Sequence, residues 1–169
     1  MDGLNDWQVV AIIPAAGAGR RMQGESKQGK QKLLLELAGE TIFLRSMKAL
    51  NLPEIEAFFV PVSSAEEGAF RQELEKGLPE REVLFCVGGQ ERQDSIASAL
   101  SAVKAWTSWR VPEAQRLVMI HDAARPLVET EAIRRALDVA RSCGAACVGV
   151  PVKDTIKEVG ADGIITATP

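Results

Sequence analysis

Apolar residues along this chain fall into two alternating kinds of run. Five are short, continuous and rich in β-branched side chains: residues 9–13, 57–62, 83–87, 117–120 and 146–150. Runs of that length without polar alternation are the pattern of strands covered on both faces, as in a parallel sheet. Between them, apolar positions recur at helical spacing over residues 41–50, 65–76, 93–104 and 130–142. Thr130 is placed to cap the start of the last helix, and Gly144 to end it. Beyond it, residues 157–165 carry two β-branched arms about a glycine-flanked turn, the pattern of a β-hairpin. The alternation predicts an α/β fold, a mostly parallel sheet with helices on both faces, plus a protruding β-hairpin arm.

Ligands of such sheets sit outside the carboxyl ends of the strands, so polar motifs should collect there. Four do. The first strand runs into Pro14-Ala15-Ala16-Gly17-Ala18-Gly19-Arg20-Arg21-Met22. Glycines let backbone N–H groups approach a ligand, and the arginines add fixed charge, which together suit phosphate oxygens. A dinucleotide fingerprint needs a third glycine where Met22 stands, and a P-loop needs Gly-Lys-Ser/Thr, so neither applies. The following stretch is locally basic: Arg20, Arg21, Lys27, Lys30 and Lys32 against the acid Glu25.

The third strand runs into Gly88-Gly89-Gln90-Glu91-Arg92, with Asp94 and Ser95 at a helix start. These residues suit contacts to a base and ribose, while capping of the helix is the other role open to Asp94 and Ser95. The fourth leads to His121-Asp122-Ala123-Ala124-Arg125-Pro126. Asp122 can hold Mg²⁺ against phosphate oxygens, or it can cap a helix or pair with Arg125. His121 is expected to be a structural hydrogen-bonding residue, with a general base as its other role. The fifth strand enters Pro151-Val152-Lys153-Asp154-Thr155.

Composition narrows the partners. A chain of 169 residues with 46% hydrophobic residues suits one domain. A net charge of −3 argues against broad nucleic-acid binding. No stretch approaches the roughly 20 apolar residues of a membrane span, and the N-terminus lacks a signal-like apolar region. Cys86, Cys143 and Cys147 are expected to be small buried thiols, consistent with a cytoplasmic location. No Ser/His/Asp set or His/Cys metal cluster stands out. Nucleotidyl transfer needs little covalent help, only positioning, a metal and cations around phosphorus. Arg21, Lys32 and Asp122 provide that set.

The chain resembles the 2-C-methyl-D-erythritol 4-phosphate cytidylyltransferases of non-mevalonate isoprenoid synthesis. The stretches that carry the resemblance are residues 15–22, Lys32-Leu33-Leu34-Leu35-Glu36-Leu37-Ala38-Gly39, Gly88-Gly89-Gln90-Glu91-Arg92-Gln93-Asp94-Ser95, residues 121–126 and residues 151–157. It implies a Rossmann-like fold of the nucleotide-diphospho-sugar transferase type. It implies transfer of CMP from CTP to the sugar-alcohol phosphate with release of pyrophosphate, with Mg²⁺ or another divalent cation held at Asp122. Arg21 and Lys32 would be the catalytic cations, with Lys27 as the alternative lysine because the interval after Arg21 is longer here than in the family. Ala15, Ala16, Gly17, Ala18, Gly19, Gly88, Gly89, Gln90, Arg92, Ser95 and Ala123 would line the nucleotide, and Thr155 the acceptor pocket.

The same resemblance implies a homodimer joined by hairpin arms. It also implies about 60 further residues in the family, by the size of the fold. Residues 1–169 are therefore expected to be one nucleotidyltransferase domain lacking its C-terminal part, with residues 152–169 a partial arm and dimerisation weakened. Two other readings are a cytidylyltransferase for another polyol phosphate, such as ribitol 5-phosphate, and a non-catalytic CTP-binding fragment. Neither nucleic acid nor a membrane is expected as a partner.

Overall fold

The computed structural model describes residues 7–17 and 32–169; Ala18, Gly19, Arg20, Arg21, Lys27 and Lys30 lie outside the described residues. In chain order, strand β1 (Gln8–Ile12) is followed by a small hairpin, β2 (Glu36–Leu37) and β3 (Glu40–Thr41), and then helix α1 (Ile42–Ala49). Next come β4 (Ile55–Val62), α2 (Glu67–Gly77), β5 (Glu82–Val87) and α3 (Arg92–Ala105). The rest comprises β6 (Arg116–Ile120), α4 (Thr130–Cys143) and a terminal hairpin, β7 (Glu158–Val159) with β8 (Ile165–Ala167).

Four strands form one parallel sheet in the order β5-β4-β1-β6. The order explains how the helices divide between the faces. From β1 the chain moves outward through β4 to β5, and α1 and α2 pack on one face as it does so. It then reverses past β1 to reach β6, and a right-handed crossover in the reverse direction must run over the other face. There α3 lies.

Because successive strand residues point to opposite faces, β1 divides its apolar run between two cores. Val9, Ala11 and Ile13 join Phe58 and Val60 of β4 beneath α1, α2 and α4, where Phe43, Met47, Phe70, Ile133 and Leu137 are buried. Val10 and Ile12 join Ala57 and Phe59 beneath α3, against Ala99, Val103 and Trp106. Each of the large side chains so buried contributes about 1.5–3 kcal/mol. The Trp106 ring meets Phe59 edge-on at 6.0 Å and Trp109 at 5.0 Å. Its indole N–H donates to Glu82 at 3.2 Å, while the Trp109 indole donates to the Val103 carbonyl at 3.1 Å. The carboxy-terminal end of α3 is thereby fastened to the sheet by aromatic rings.

Strand β6 is covered less evenly. Register pairs Val10 with Val118 and Ile12 with Ile120, so these two face the α3 side. They remain exposed, at 37% and 43%. A groove of about 940 Å³ runs beside β6 and α4, from Arg116 to Val148.

Three expectations are corrected. Residues 146–150 form no strand: they are exposed and pair with no strand among the described residues, because the β-branched pattern makes a strand only where an edge accepts its hydrogen bonds. Thr130 is not the N-cap of α4; Glu129 occupies that position, without a side-chain hydrogen bond. Cys143 and Cys147 are exposed and Cys86 half-buried, since the first two lie on the last turn of α4 and in the irregular chain beyond it. Gly144 does end α4, with φ of +84°. The terminal hairpin forms as expected, with all residues of both strands exposed. Among the described residues, no helix is long and apolar enough to cross a membrane.

Candidate functional site

The carboxyl ends of β1, β5 and β6 bring three of the four predicted loops to one rim of the sheet. The first loop continues β1: the Ile13 N–H donates to Phe59 and the Ala15 N–H to Pro61, both at 2.9 Å. Ala15 is buried, Ala16 half-buried and Gly17 exposed, so the segment emerges from the sheet as it approaches its glycine.

The second loop lies directly against the first. The Gly88 N–H donates to the Val62 carbonyl at 2.8 Å, extending the β4–β5 pairing by one residue. A Cβ at Gly88 would lie 2.1 Å from the Ala16 Cβ, and one at Gly89 would lie 2.2 Å from the Asp94 Cβ. Both positions need glycine because of close approach. Gly88 lets the loop after β1 and the loop after β5 touch, and Gly89 lets the backbone turn tightly onto α3.

The start of α3 fixes that turn. Its N-cap is Glu91, whose N–H donates to the Asp94 carboxylate at 3.1 Å. The buried Ser95 hydroxyl accepts from the Gly89 N–H at 3.1 Å and lies 3.2 Å from the Glu91 carbonyl. Ser95 therefore faces inward and shapes the Gly88–Gly89 backbone. The Ser98 hydroxyl donates to Val87 at 2.6 Å, tying the next turn of α3 to the end of β5. Gln90 and Arg92 are exposed on the rim.

The third loop follows β6 and closes on itself. The His121 N–H donates to Ile12 at 3.0 Å, and the Arg125 N–H to the Asp122 carbonyl at 3.0 Å. His121 Nε2 lies 3.0 Å from the Arg125 carbonyl; a carbonyl can only accept, so Nε2 carries the proton in this contact. That is the structural role expected of His121. Ala123 is buried, with only 2% of its surface exposed.

Asp122 is the electrostatic centre of the rim. Its Oδ1 accepts from Arg92 Nε at 2.9 Å and Nη2 at 2.7 Å, and its Oδ2 accepts from Arg125 Nε at 2.9 Å. Partial burial pushes its pKa upward, but the two guanidiniums outweigh that and hold the carboxyl below its ordinary value. The pairing with Arg125 is the alternative foreseen for this residue; that with Arg92, 30 positions away, is not visible in sequence spacing. Among the described residues no three His, Cys, Asp or Glu side chains gather as a metal site. A lone carboxylate fits a hard cation that takes its other ligands from phosphates and water, as Mg²⁺ does. Binding it would require Asp122 to exchange at least part of its arginine contact.

Lys32 opens a short 3-10 turn, Lys32–Leu34, and is exposed. The turn is anchored by buried Leu33 and by the β2–β3 hairpin, whose turn residues Ala38 and Gly39 both have positive φ, as a tight two-residue connection requires. Thr41 follows as the N-cap of α1, accepting from the Leu44 N–H at 3.2 Å and donating to Glu73 at 2.9 Å. Thr155 is exposed in irregular chain and forms no hydrogen bond with the described rim residues. Ala18, Gly19, Arg21 and the alternative Lys27 lie outside the described residues.

Known proteins are similar to this chain in sequence and in fold. The family model for IspD, 2-C-methyl-D-erythritol 4-phosphate cytidylyltransferase, matches residues 9–169. A protein of that name from Symbiobacterium thermophilum is 38% identical over 162 residues, covering 95% of this chain and 62% of the relative. The chain thus spans under two thirds of that relative's length. The structure of 4-diphosphocytidyl-2C-methyl-D-erythritol synthase from Anaerococcus prevotii superposes with a TM-score of 0.72 at 22% identity, covering 98% of this chain and 65% of that one. A Mycobacterium tuberculosis protein solved as a complex with manganese shares the fold more distantly, with a TM-score of 0.53 at 17% identity over 80% of this chain and 60% of that one. With the order of loops on the rim, the match over nearly all its residues places the chain in the 2-C-methyl-D-erythritol 4-phosphate cytidylyltransferase family.

Proposed function

We propose that this chain is the nucleotide-binding part of an enzyme that transfers CMP from CTP to 2-C-methyl-D-erythritol 4-phosphate and releases pyrophosphate. The observation that supports this most is the contact of Gly88 with Ala16, with Asp122 and its two arginines on the same rim. It sets a backbone suited to a base beside one suited to a triphosphate.

In this reading, residues 15–19 cradle the triphosphate with backbone N–H groups. Gly88, Gly89, Gln90 and Arg92 hold cytosine and ribose, and Ser95 acts on them through Gly89. Ala123 closes the nucleotide pocket and Thr155 belongs to the acceptor pocket. An oxygen of the acceptor phosphate bonds to the α-phosphorus of CTP. The bond from that phosphorus to the bridging oxygen breaks, and its electron pair leaves with pyrophosphate. Arg21 and Lys32 stabilise the charge on the five-coordinate phosphorus. A divalent cation held by Asp122 and the triphosphate would supply further charge neutralisation. We also assign the enzyme to the cytoplasm and the exposed terminal hairpin to pairing between two copies, with residues 152–169 as a partial arm of a single nucleotidyltransferase domain.

Calorimetric titration with Mg²⁺ tests the nucleotide: CTP is expected to bind more tightly than UTP, ATP or GTP, and equal affinity for UTP would sink the cytidine assignment. Pyrophosphate release from CTP with methylerythritol phosphate, compared with ribitol 5-phosphate, tests the acceptor. Binding of CTP without release from either would favour the reading as a non-catalytic fragment.

A further inference from the structure

The least expected buried polar group near the rim is on α1. Ser46 has 0% of its surface exposed and stands among Phe43, Met47 and Leu50 beneath the sheet. A hydroxyl taken so far from water needs a partner. Its Oγ lies 2.6 Å from the carbonyl of Ala123 and 3.0 Å from that of Ile42 in its own helix. One hydroxyl proton serves one acceptor at a time, and the Ala123 contact is the shorter.

Ala123 follows Asp122 directly, 77 positions along the chain from Ser46. The other bonds that shape this loop's backbone come from the loop itself or from β1, and its Asp122 side chain is held by Arg92 of α3. Ser46 instead ties it to a helix whose N-terminal side leads, through the β2–β3 hairpin, to Lys32. We infer that Ser46 is a positioning residue: its hydroxyl, by holding the Ala123 carbonyl, sets where the Asp122 carboxylate stands relative to Arg92 and to the Lys32 segment. The nucleotide consequence rests on the cytidylyltransferase reading above; the positional one does not.

Two readouts test it. Backbone amide exchange at Ala123, Ala124 and Arg125 reports the loop without any nucleotide, and CTP affinity in Mg²⁺ reports the site. Ser46→Ala strands the Ala123 carbonyl, so exchange should rise and CTP affinity fall by roughly tenfold each. Ser46→Cys, which keeps the volume but donates weakly, should move both the same way and serves if the alanine variant does not fold. Ser46→Thr retains the hydroxyl and should keep both within about threefold of the unaltered protein. Ile55→Val, in a 0% exposed position at the opposite end of β4, is the control for general loosening of the core and should leave loop exchange within about twofold. Unchanged exchange in Ser46→Ala and Ser46→Cys, or an equal rise in Ile55→Val, would overturn the inference. If the unaltered protein fails to bind CTP, the cytidylyltransferase reading fails, and the exchange comparison still decides the role of Ser46.

Discussion

Arg92, in the first turn of α3, places both Nε and Nη2 on the same Asp122 oxygen, at 2.9 and 2.7 Å. The other oxygen is left to Arg125. The loop after β6 is therefore latched to the helix whose start shapes the glycine loop.

That latch predicts a pH dependence. The Asp122 carboxyl is held below its ordinary value, so its ion pairs favour the folded state above the unfolded pKa of about 3.9 and lose that contribution as pH falls through the lower folded value. The residue is partly exposed, so the contribution belongs with the ~0.2–1 kcal/mol of surface pairs. The urea midpoint of Asp122→Asn should lie below that of the unaltered protein at pH 6, and the gap should shrink toward pH 3. A gap that does not change with pH would count against the latch.

Gly88 and Ala16 predict a compensating pair. Gly88→Ala drives a methyl into the Ala16 methyl and should cost about 1–3 kcal/mol in chemical denaturation. Adding Ala16→Gly opens the space, so the double variant should recover much of the loss and show a non-additive coupling energy. Simple additivity would mean that the two loops relax independently.

The two candidate lysines separate by turnover. In the proposed mechanism Arg21→Ala and Lys32→Ala should each slow pyrophosphate release by at least about 100-fold, because each would remove charge that the proposal assigns to the developing phosphate charge. Lys27→Ala should cost far less. The assay uses the longest reading frame that contains this chain. Loss of activity in Lys27→Ala with Lys32→Ala spared would assign the role to Lys27.

Gly144 ends α4 in the left-handed region, where any Cβ is strained. Gly144→Ala should lower stability by about 1–2 kcal/mol. Thermal unfolding followed by circular dichroism should show this with little loss of helix signal at low temperature.

The parallel sheet was legible because its strands are apolar on both faces: Val9 and Val10 serve different cores, so neither could be polar. The rim was legible because glycine and charge follow the ends of β1, β5 and β6. What sequence could not supply was partnership across distance. Residues 146–150 have strand chemistry, yet no edge among the described residues engages them. Arg92 lies far from Asp122 along the chain, and nothing local links them. Ser46 looks like an ordinary polar residue of an amphipathic helix until the loop after β6 folds over it. Thr130 missed the cap by one residue, since local capping preference competes with where the preceding loop delivers the chain.

The aromatic fastening at the far end of α3 gives the molecule an optical channel of its own. Trp106 and Trp109 stand in contact with each other and with the sheet, beyond the last turn of the helix whose first turn carries Arg92 and Ser95. A helix of 14 residues spans about 21 Å, so the rings lie well away from the rim and cannot be quenched by direct contact with a bound base. With Trp7 replaced by Phe, a change in their emission on adding nucleotide would report a rearrangement at the far end of α3, without a label attached to the protein.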